Sequence, residues 1–327
     1  MLSKEIFSDL AVSKIVDLER LLTSVHLPEK LMPLYLYSIR GGRKFRSLLT
    51  IAGGNLIESN DSENLLFAAA SIEMIHKASL IRDDIIDDDE FRRGQLTFHK
   101  KFSIKEGIMI GDLLVGLSFD FINKMKFDEP SAKYNCYNTV ASVFSKLCIG
   151  QLKDFYSIDN ANGLENANNI NSEKTGSLIG TAMKIGCITG GGNKEQTQNA
   201  YFVGDLIGQL FQLMNDYNNL IGFEATNKRE IYTDLFKNKS TTASVILFRH
   251  LSIEQALAIN NDELDKDYLG QLINSKLPNI EKDIFEYAND KINEIEGLLK
   301  KFPNEEVCNK ILAVANDFKE KWFWQNI

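Results

Sequence analysis

Proline is scarce in this sequence, with 5 in 327 residues: Pro28, Pro33, Pro130, Pro278 and Pro303. The stretches 34–129 and 131–277 therefore lack the residue that most often interrupts a helix. Cysteine is scarce too. The 4 cysteines (Cys136, Cys148, Cys187, Cys308) form no Cys-x-x-Cys pair, which argues against a disulfide framework and a thiolate zinc site. The 4 histidines (His26, His76, His99, His250) also lack ligand spacing. Basic charge is not in excess: 37 Lys+Arg against 45 Asp+Glu leave a net −8, so the footprint of a nucleic-acid-binding protein is missing. Any polyanionic ligand must then be met by local basic spots or by bound cations. No apolar run approaches the ~18 residues of a transmembrane segment, and the region after Gly107 is cut by Asp112 and Asp120. The first residues, Met1 to Leu10, carry charges where a secretory leader would be apolar, so a cytoplasmic chain is expected.

What is present is helical periodicity. Leu65, Ala69, Ile72, Ile75 and Ser79 recur at three or four residues, and Val203, Leu206, Ile207, Leu210, Met214 and Tyr217 repeat the pattern. Strand alternation bounded by hairpin turns is not evident. Breaks are predicted from Gly53-Gly54 to Asp61, at Asp128–Pro130, within 159–171, at Gly190–Gly192 and at Thr226–Arg229. No shift in composition marks a second domain. The expectation is a single all-α domain over 1–327, a bundle of long, mostly antiparallel helices.

Three polar clusters stand out against this background. In Asp83-Asp84-Ile85-Ile86-Asp87, helical spacing places Asp83 and Asp87 on one face, where like charges repel and a divalent cation relieves the conflict. Mg²⁺ takes one or two carboxylates together with phosphate oxygens, so the arrangement suits a diphosphate; a solvated acidic helix end is the alternative. Arg92-Arg93-Gly94 follows two turns on, either as cations satisfying helix-end carbonyls ahead of a glycine cap or as a bidentate phosphate clamp. Gly41-Gly42-Arg43-Lys44-Phe45-Arg46-Ser47 is the second cluster: paired glycines admit an anion to the backbone beside three cations, although a basic loop alone is usually solvated surface. The third, Phe211 to Asn219, sets Asn215, Asp216 and Asn219 inside an apolar helix, which requires a core network or a metal site.

Together these clusters resemble the trans-isoprenyl diphosphate synthases over most of the chain. Gly41–Ser47 is similar to that family's Gly-Gly-Lys-Arg-x-Arg-Pro motif, Asp83–Gly94 to its first aspartate-rich motif, and Phe211–Asn219 to its second. The runs 72–94 and 216–220 look most like geranylgeranyl diphosphate synthases. The resemblance implies the isoprenoid synthase fold, a homodimer, and condensation of isopentenyl diphosphate with an allylic diphosphate. It implies Mg²⁺, three ions with diphosphate bound, held by Asp83 and Asp87 with Asp84 in support, and by Asn215 and Asp216. Arg92, Lys174, Lys228 and Lys239 would serve the allylic diphosphate; Arg43, Arg46, His76 and Arg93 would serve isopentenyl diphosphate; Lys44, Thr175 and Gln212 would also bind substrate. Asp83, Asp84, Asp87, Lys174 and Asp216 would carry the chemistry.

The resemblance also implies that product length follows Ala78 and Ser79, five and four residues before Asp83. Both are small, so products of about twenty carbons or longer are expected, with Phe119 and Phe121 as a possible floor.

The sequence departs from the motif in three places. Arg43-Lys44 reverses the usual order, Ser47 stands for proline, and Asn215 stands where an aspartate would hold the third metal. That last change keeps open two other readings: an enzyme of terpene synthase type that ionises a prenyl diphosphate without isopentenyl diphosphate, and a non-catalytic synthase subunit.

Overall fold

The computed structural model describes residues 8–59, 61–155, 172–221, 232, 235, 241–261 and 265–324, the side chains of 8–12, 154–155, 174, 260 and 320–324 excepted. Among the described residues the chain is all-α apart from one short hairpin. Its helices are α1 (Ser8–Thr23), α2 (Met32–Ile39), α3 (Phe45–Asn55), α4 (Ser62–Ile86), α5 (Phe98–Lys101), α6 (Ile104–Lys124) and α7 (Pro130–Phe155) in the first half. A π-helical turn, Ser172–Gly176, then leads into α8 (Ser177–Thr189), α9 (Lys194–Leu220), α10 (Thr242–Arg249), α11 (Ile253–Asn260), α12 (Lys266–Leu299) and α13 (Glu305–Trp324).

Local chemistry sets the helix ends. Asp61, Ser103 and Asn193 each accept the N–H three residues on at the starts of α4, α6 and α9, and Asn193 with Gln196 completes a capping box. Pro130 opens α7, where its missing N–H costs nothing. Pro278 instead lies within α12, so this proline does not mark a boundary.

Helix α4 is the centre of the bundle. It packs on α1, α3, α6 and α8, and 14 of its 25 residues are buried, so it is apolar nearly all round. The break expected from Gly53-Gly54 to Asp61 falls between α3, which ends at Asn55, and α4, which starts at Ser62, with both glycines still inside α3. These glycines are where α3 crosses α8: a Cβ on Gly186 would strike the Thr50 carbonyl oxygen, and one on Gly53 the backbone of Met183. Helix α9 packs on the other elements of the second half through Leu206, Leu210, Leu213 and Tyr217. Both α4 and α9, the carriers of the acidic clusters, therefore rest on α8.

The strand pair among the described residues joins β1 (Phe91–Arg92) to β2 (Gln95–Leu96), Phe91 facing Leu96 and Arg92 facing Gln95. Arg93 and Gly94 form its two-residue turn with φ of 54° and 76°, the left-handed pair that a tight hairpin needs. This corrects the expectation of a helix running through Arg92-Arg93 to a glycine cap. The helix ends at Ile86, and Gly94 serves a hairpin instead.

Candidate functional site

The Gly41-Gly42 loop links α2 to α3 with φ of 68° and 90°, backbone that only glycine adopts without strain. Beneath it lies a buried charge cluster. Glu73 accepts from Lys44 Nζ at 3.0 Å and from Ser47 Oγ at 3.1 Å. Lys77 Nζ sits 3.9 Å from the same carboxylate and donates to the carbonyls of Arg40 and Gly41, each at 2.9 Å. Lys44 Nζ donates to the carbonyls of Ile39 and Gly41 as well. Lys44, expected to face a ligand, thus turns inward and holds the loop from below. Glu73 and Lys77 were missed in the sequence. The signal that could have found them is an i, i+4 charged pair inside the apolar run of α4.

On the other side of the loop the hairpin brings Arg93 over Gly42. A Cβ at Gly42 would lie 3.0 Å from Arg93 Nη1 and 3.5 Å from Lys77 Nζ, so glycine is required for the guanidinium to approach. Arg46 Nη1 lies 3.3 Å from His76 Nε2. Burial, then the neighbouring cations Arg46, Lys77, Arg93 and Arg92, hold His76 well below its ordinary value. Burial also pushes Arg46 down to about 10 and Lys77 to about 8, although Glu73 opposes both shifts. Arg93 moves the same way, through burial and the charges of Arg92 and Arg43. The cluster thus has an excess of positive charge, and its buried carboxylate, Glu73, is already engaged.

The first acidic cluster adjoins it. Asp83 is half-buried near the end of α4, within electrostatic reach of Arg46, and Asp87 caps the helix in an exposed position. Asp84 points elsewhere: it is buried and accepts from Arg92 Nε at 2.5 Å, with Asp89 3.7 Å from Arg92 Nη2. Burial raises the Asp84 carboxyl, and Arg92 pulls it back. Asp84 and Arg92 therefore fasten the hairpin to α4. Ala78 is wholly buried, while Ser79 is half-buried and returns its hydroxyl to the His76 carbonyl.

The second cluster lies on α9. Asp216 is buried and accepts from Gln212 Nε2 at 2.7 Å, and Gln212 Oε1 accepts from Thr175 Oγ1 at 3.1 Å. Asn215 is exposed, so of the two alternatives for this cluster, a core network or a metal site, it takes no part in the first. Phe211 stacks on Phe45 at 6.5 Å, and Phe318 meets both rings edge-on. That aromatic knot ties the second cluster to the helix carrying Arg46. The side chain of Lys174 lies outside the described residues, as do Lys228 and Lys239.

Residues 28–273 match the family model described as polyprenyl synthetase, three quarters of the chain, with every described cluster inside the match. The chain belongs to that family. It is 29% identical over 205 residues to a short chain isoprenyl diphosphate synthase of Methanocaldococcus jannaschii, covering 62% of this chain and 61% of that one. The chain thus spans less than two thirds of that relative's length. Its fold is that of a geranylgeranyl pyrophosphate synthetase from Pyrococcus horikoshii, with a TM-score of 0.83 at 23% identity over 97% of this chain and 98% of that one. A polyprenyl synthase of Caulobacter crescentus, solved with calcium and isoprenyl diphosphate, has a TM-score of 0.80 at 21% identity, with 97% of each chain covered.

The acidic residues fit a hard divalent cation. Asp83 and Asp87 offer two carboxylates one helical turn apart, and among the described residues no group of three or more His, Cys, Asp or Glu converges into a cage. Mg²⁺ is bound in that way, by one or two carboxylates with the remaining positions left to water and phosphate.

Proposed function

We propose that this chain elongates prenyl chains, condensing isopentenyl diphosphate with an allylic diphosphate to give a prenyl diphosphate of about twenty carbons or longer. The observation that carries the reading is the cation excess around Gly42. Arg46, Lys77 and Arg93 are crowded, and burial first, then neighbouring cations (Arg93 on Arg46, Lys44 and Arg93 on Lys77, Arg92 and Arg43 on Arg93), lowers the proton affinity of each. Such a group is stabilised by an anion of more than one charge. It lies beside Asp83 but is built from different residues, which supports one diphosphate at the acidic cluster and another over the loop. An enzyme that only ionises one prenyl diphosphate would need no second anion site.

In this reading Asp83 and Asp87 would hold Mg²⁺, and Asp216 with Asn215 would hold the third ion more weakly. When bound, the ions supply positive charge to the departing diphosphate. The allylic C–O bond breaks and its electron pair leaves with the diphosphate. The isopentenyl double bond, oriented by Arg46, His76 and Arg93 on its diphosphate, attacks the allylic carbon. The proton then lost from the adjoining carbon passes to the released diphosphate. No side-chain nucleophile takes part. The carbocation requires a dry surrounding, and the apolar residues of α4 and α6, Ala78, Ile110, Leu114 and Phe121 among them, would border it. Exposed Ile108, Met109, Tyr134 and Ile149 on α6 and α7 support a homodimer.

The test is product analysis by mass spectrometry with Mg²⁺ and dimethylallyl, geranyl or farnesyl diphosphate, each with and without isopentenyl diphosphate. Longer prenyl diphosphates formed only with isopentenyl diphosphate are expected. Hydrocarbons or alcohols formed without it would establish the terpene synthase reading instead.

A further inference from the structure

The π-helical turn Ser172–Gly176 carries Lys174 and Thr175, and helix α9 holds it at two levels. At the upper level Thr175 meets Gln212, which meets Asp216. Two turns earlier on α9 a second carboxylate does comparable work. Asp205 is 8% exposed, accepts from Ser172 Oγ at 2.8 Å through Oδ1 and from Gln209 Nε2 at 2.8 Å through Oδ2. The backbone has been cleared for it. A Cβ on Gly176 would collide with Asp205 Oδ1, and a Cβ on Gly208 would lie 2.5 Å from the Cα of Gly176. Turn and helix therefore touch backbone to backbone, with the Asp205 carboxylate in the space that a side chain at position 176 would fill. Lys153 on α7 adds an ion pair to Glu173 at 3.0 Å, half-exposed and correspondingly weak.

A buried carboxylate whose hydrogen-bond donors among the described residues, Ser172 and Gln209, are both neutral is costly to keep in a helix that needs only apolar packing. Burial raises its carboxyl, and the hydrogen bonds from Ser172 and Gln209 counter that. The turn is in turn unusual: π-helical geometry is less favourable than α and persists where neighbours hold it. The two oddities meet at one hydrogen bond.

We propose that Asp205 is a positioning residue for the allylic side of the reaction, fixing the π-helical turn so that Lys174 and Thr175 are held at the height of Gln212 and Asp216. The proposal rests on the synthase reading above. Release of the turn would leave the loop over Gly42 untouched, because Arg46, His76 and Arg93 are carried by other elements. The effect should therefore fall on one substrate only.

The experiment compares Asp205→Ala, Asp205→Asn and Ser172→Ala with the wild type by steady-state kinetics on both substrates and by amide hydrogen exchange over residues 172–177. Asp205→Ala is expected to raise KM for the allylic diphosphate about tenfold or more, the weight of hydrogen bonds to a charged group. KM for isopentenyl diphosphate should stay within about twofold, and exchange in the turn should quicken. Asp205→Asn keeps an acceptor for Ser172 and should restore most of the loss. Ser172→Ala, which cuts the tie from the turn's side and leaves α9 intact, should reproduce the split. Equal shifts in both KM values, or a lowered Tm with unchanged exchange in the turn, would overturn the proposal. A wild type that makes no elongated product would sink the synthase reading alone, since the exchange comparison still decides whether Asp205 holds the turn.

Discussion

Arg46 Nη1 donates to His76 Nε2 across 3.3 Å. A guanidinium has no acceptor, so Nε2 must be unprotonated and the imidazole neutral with its proton on Nδ1. Burial and the surrounding cations favour the same state. His76 is therefore expected to show a neutral ring at pH 6 by nitrogen NMR. His76→Ala should raise KM for isopentenyl diphosphate about tenfold, the value of a charge-assisted hydrogen bond, and leave KM for the allylic substrate nearly unchanged. A ring that titrates near 6.5 would contradict the assignment.

Lys77 gives the molecule a pH dependence on the alkaline side. Its amino group, lowered from 10.5 to about 8, is charged below that pH and neutral above it. The kcat/KM for isopentenyl diphosphate, which reports the free enzyme, should fall as pH rises through about 8. Lys77→Met should flatten that limb. Stability runs the other way. Between about 8 and 10.5 the unfolded chain keeps a proton that the fold has shed, so the contribution of Lys77 to stability rises with pH. A kcat/KM profile flat from pH 7 to 9 in the wild type would remove Lys77 from the anion site.

Asn215 is exposed beside buried Asp216, so exchanging it for aspartate changes charge with little change in packing. Asn215→Asp should lower the Mg²⁺ concentration for half-maximal rate by roughly tenfold, because ligand charge sets the affinity of such sites. The rate at saturating Mg²⁺ should rise by up to ~10², the scale of one restored electrostatic contact. Unchanged Mg²⁺ dependence would mean that position 215 is not a ligand.

Ala78 is wholly buried in the cluster that includes Ile81, Ile110 and Leu114. Ala78→Phe should shorten the products, read by mass spectrometry, and lower stability by about 1–3 kcal/mol as an over-packed core does. Products of unchanged length from a folded variant would refute the role given to this position.

The crossing of α3 on α8 allows a purely structural test. Gly186→Ala drives a Cβ into the Thr50 carbonyl oxygen, where backbone rather than a flexible side chain must yield. A loss of about 3 kcal/mol or more is expected in urea titration, whereas Gly297→Ala, inside α12 and with nothing for its Cβ to meet, should gain up to about 1 kcal/mol.

The helices were legible in the sequence because they depend on neighbours three and four residues away. The apolar spacing at Leu65–Ile75 and Val203–Tyr217 places α4 and α9 correctly, and the clusters on them suffice to recognise the family. The spacing of Asp83 and Asp87 likewise fixes a shared face before any tertiary contact is known.

What the tertiary structure alone decided is where each charge goes. Lys44 and Arg46 are two residues apart, yet Lys44, at φ 53°, sends its ammonium inward to Glu73 while Arg46 meets His76. Asp83 and Asp84 are adjacent, and Asp84 is bound by Arg92 because a hairpin rather than a helix follows α4. Asp205 and Ser172 meet across 33 residues of chain. Backbone geometry with positive φ and contacts between distant elements set these outcomes, and neither leaves a periodic trace in the order of residues.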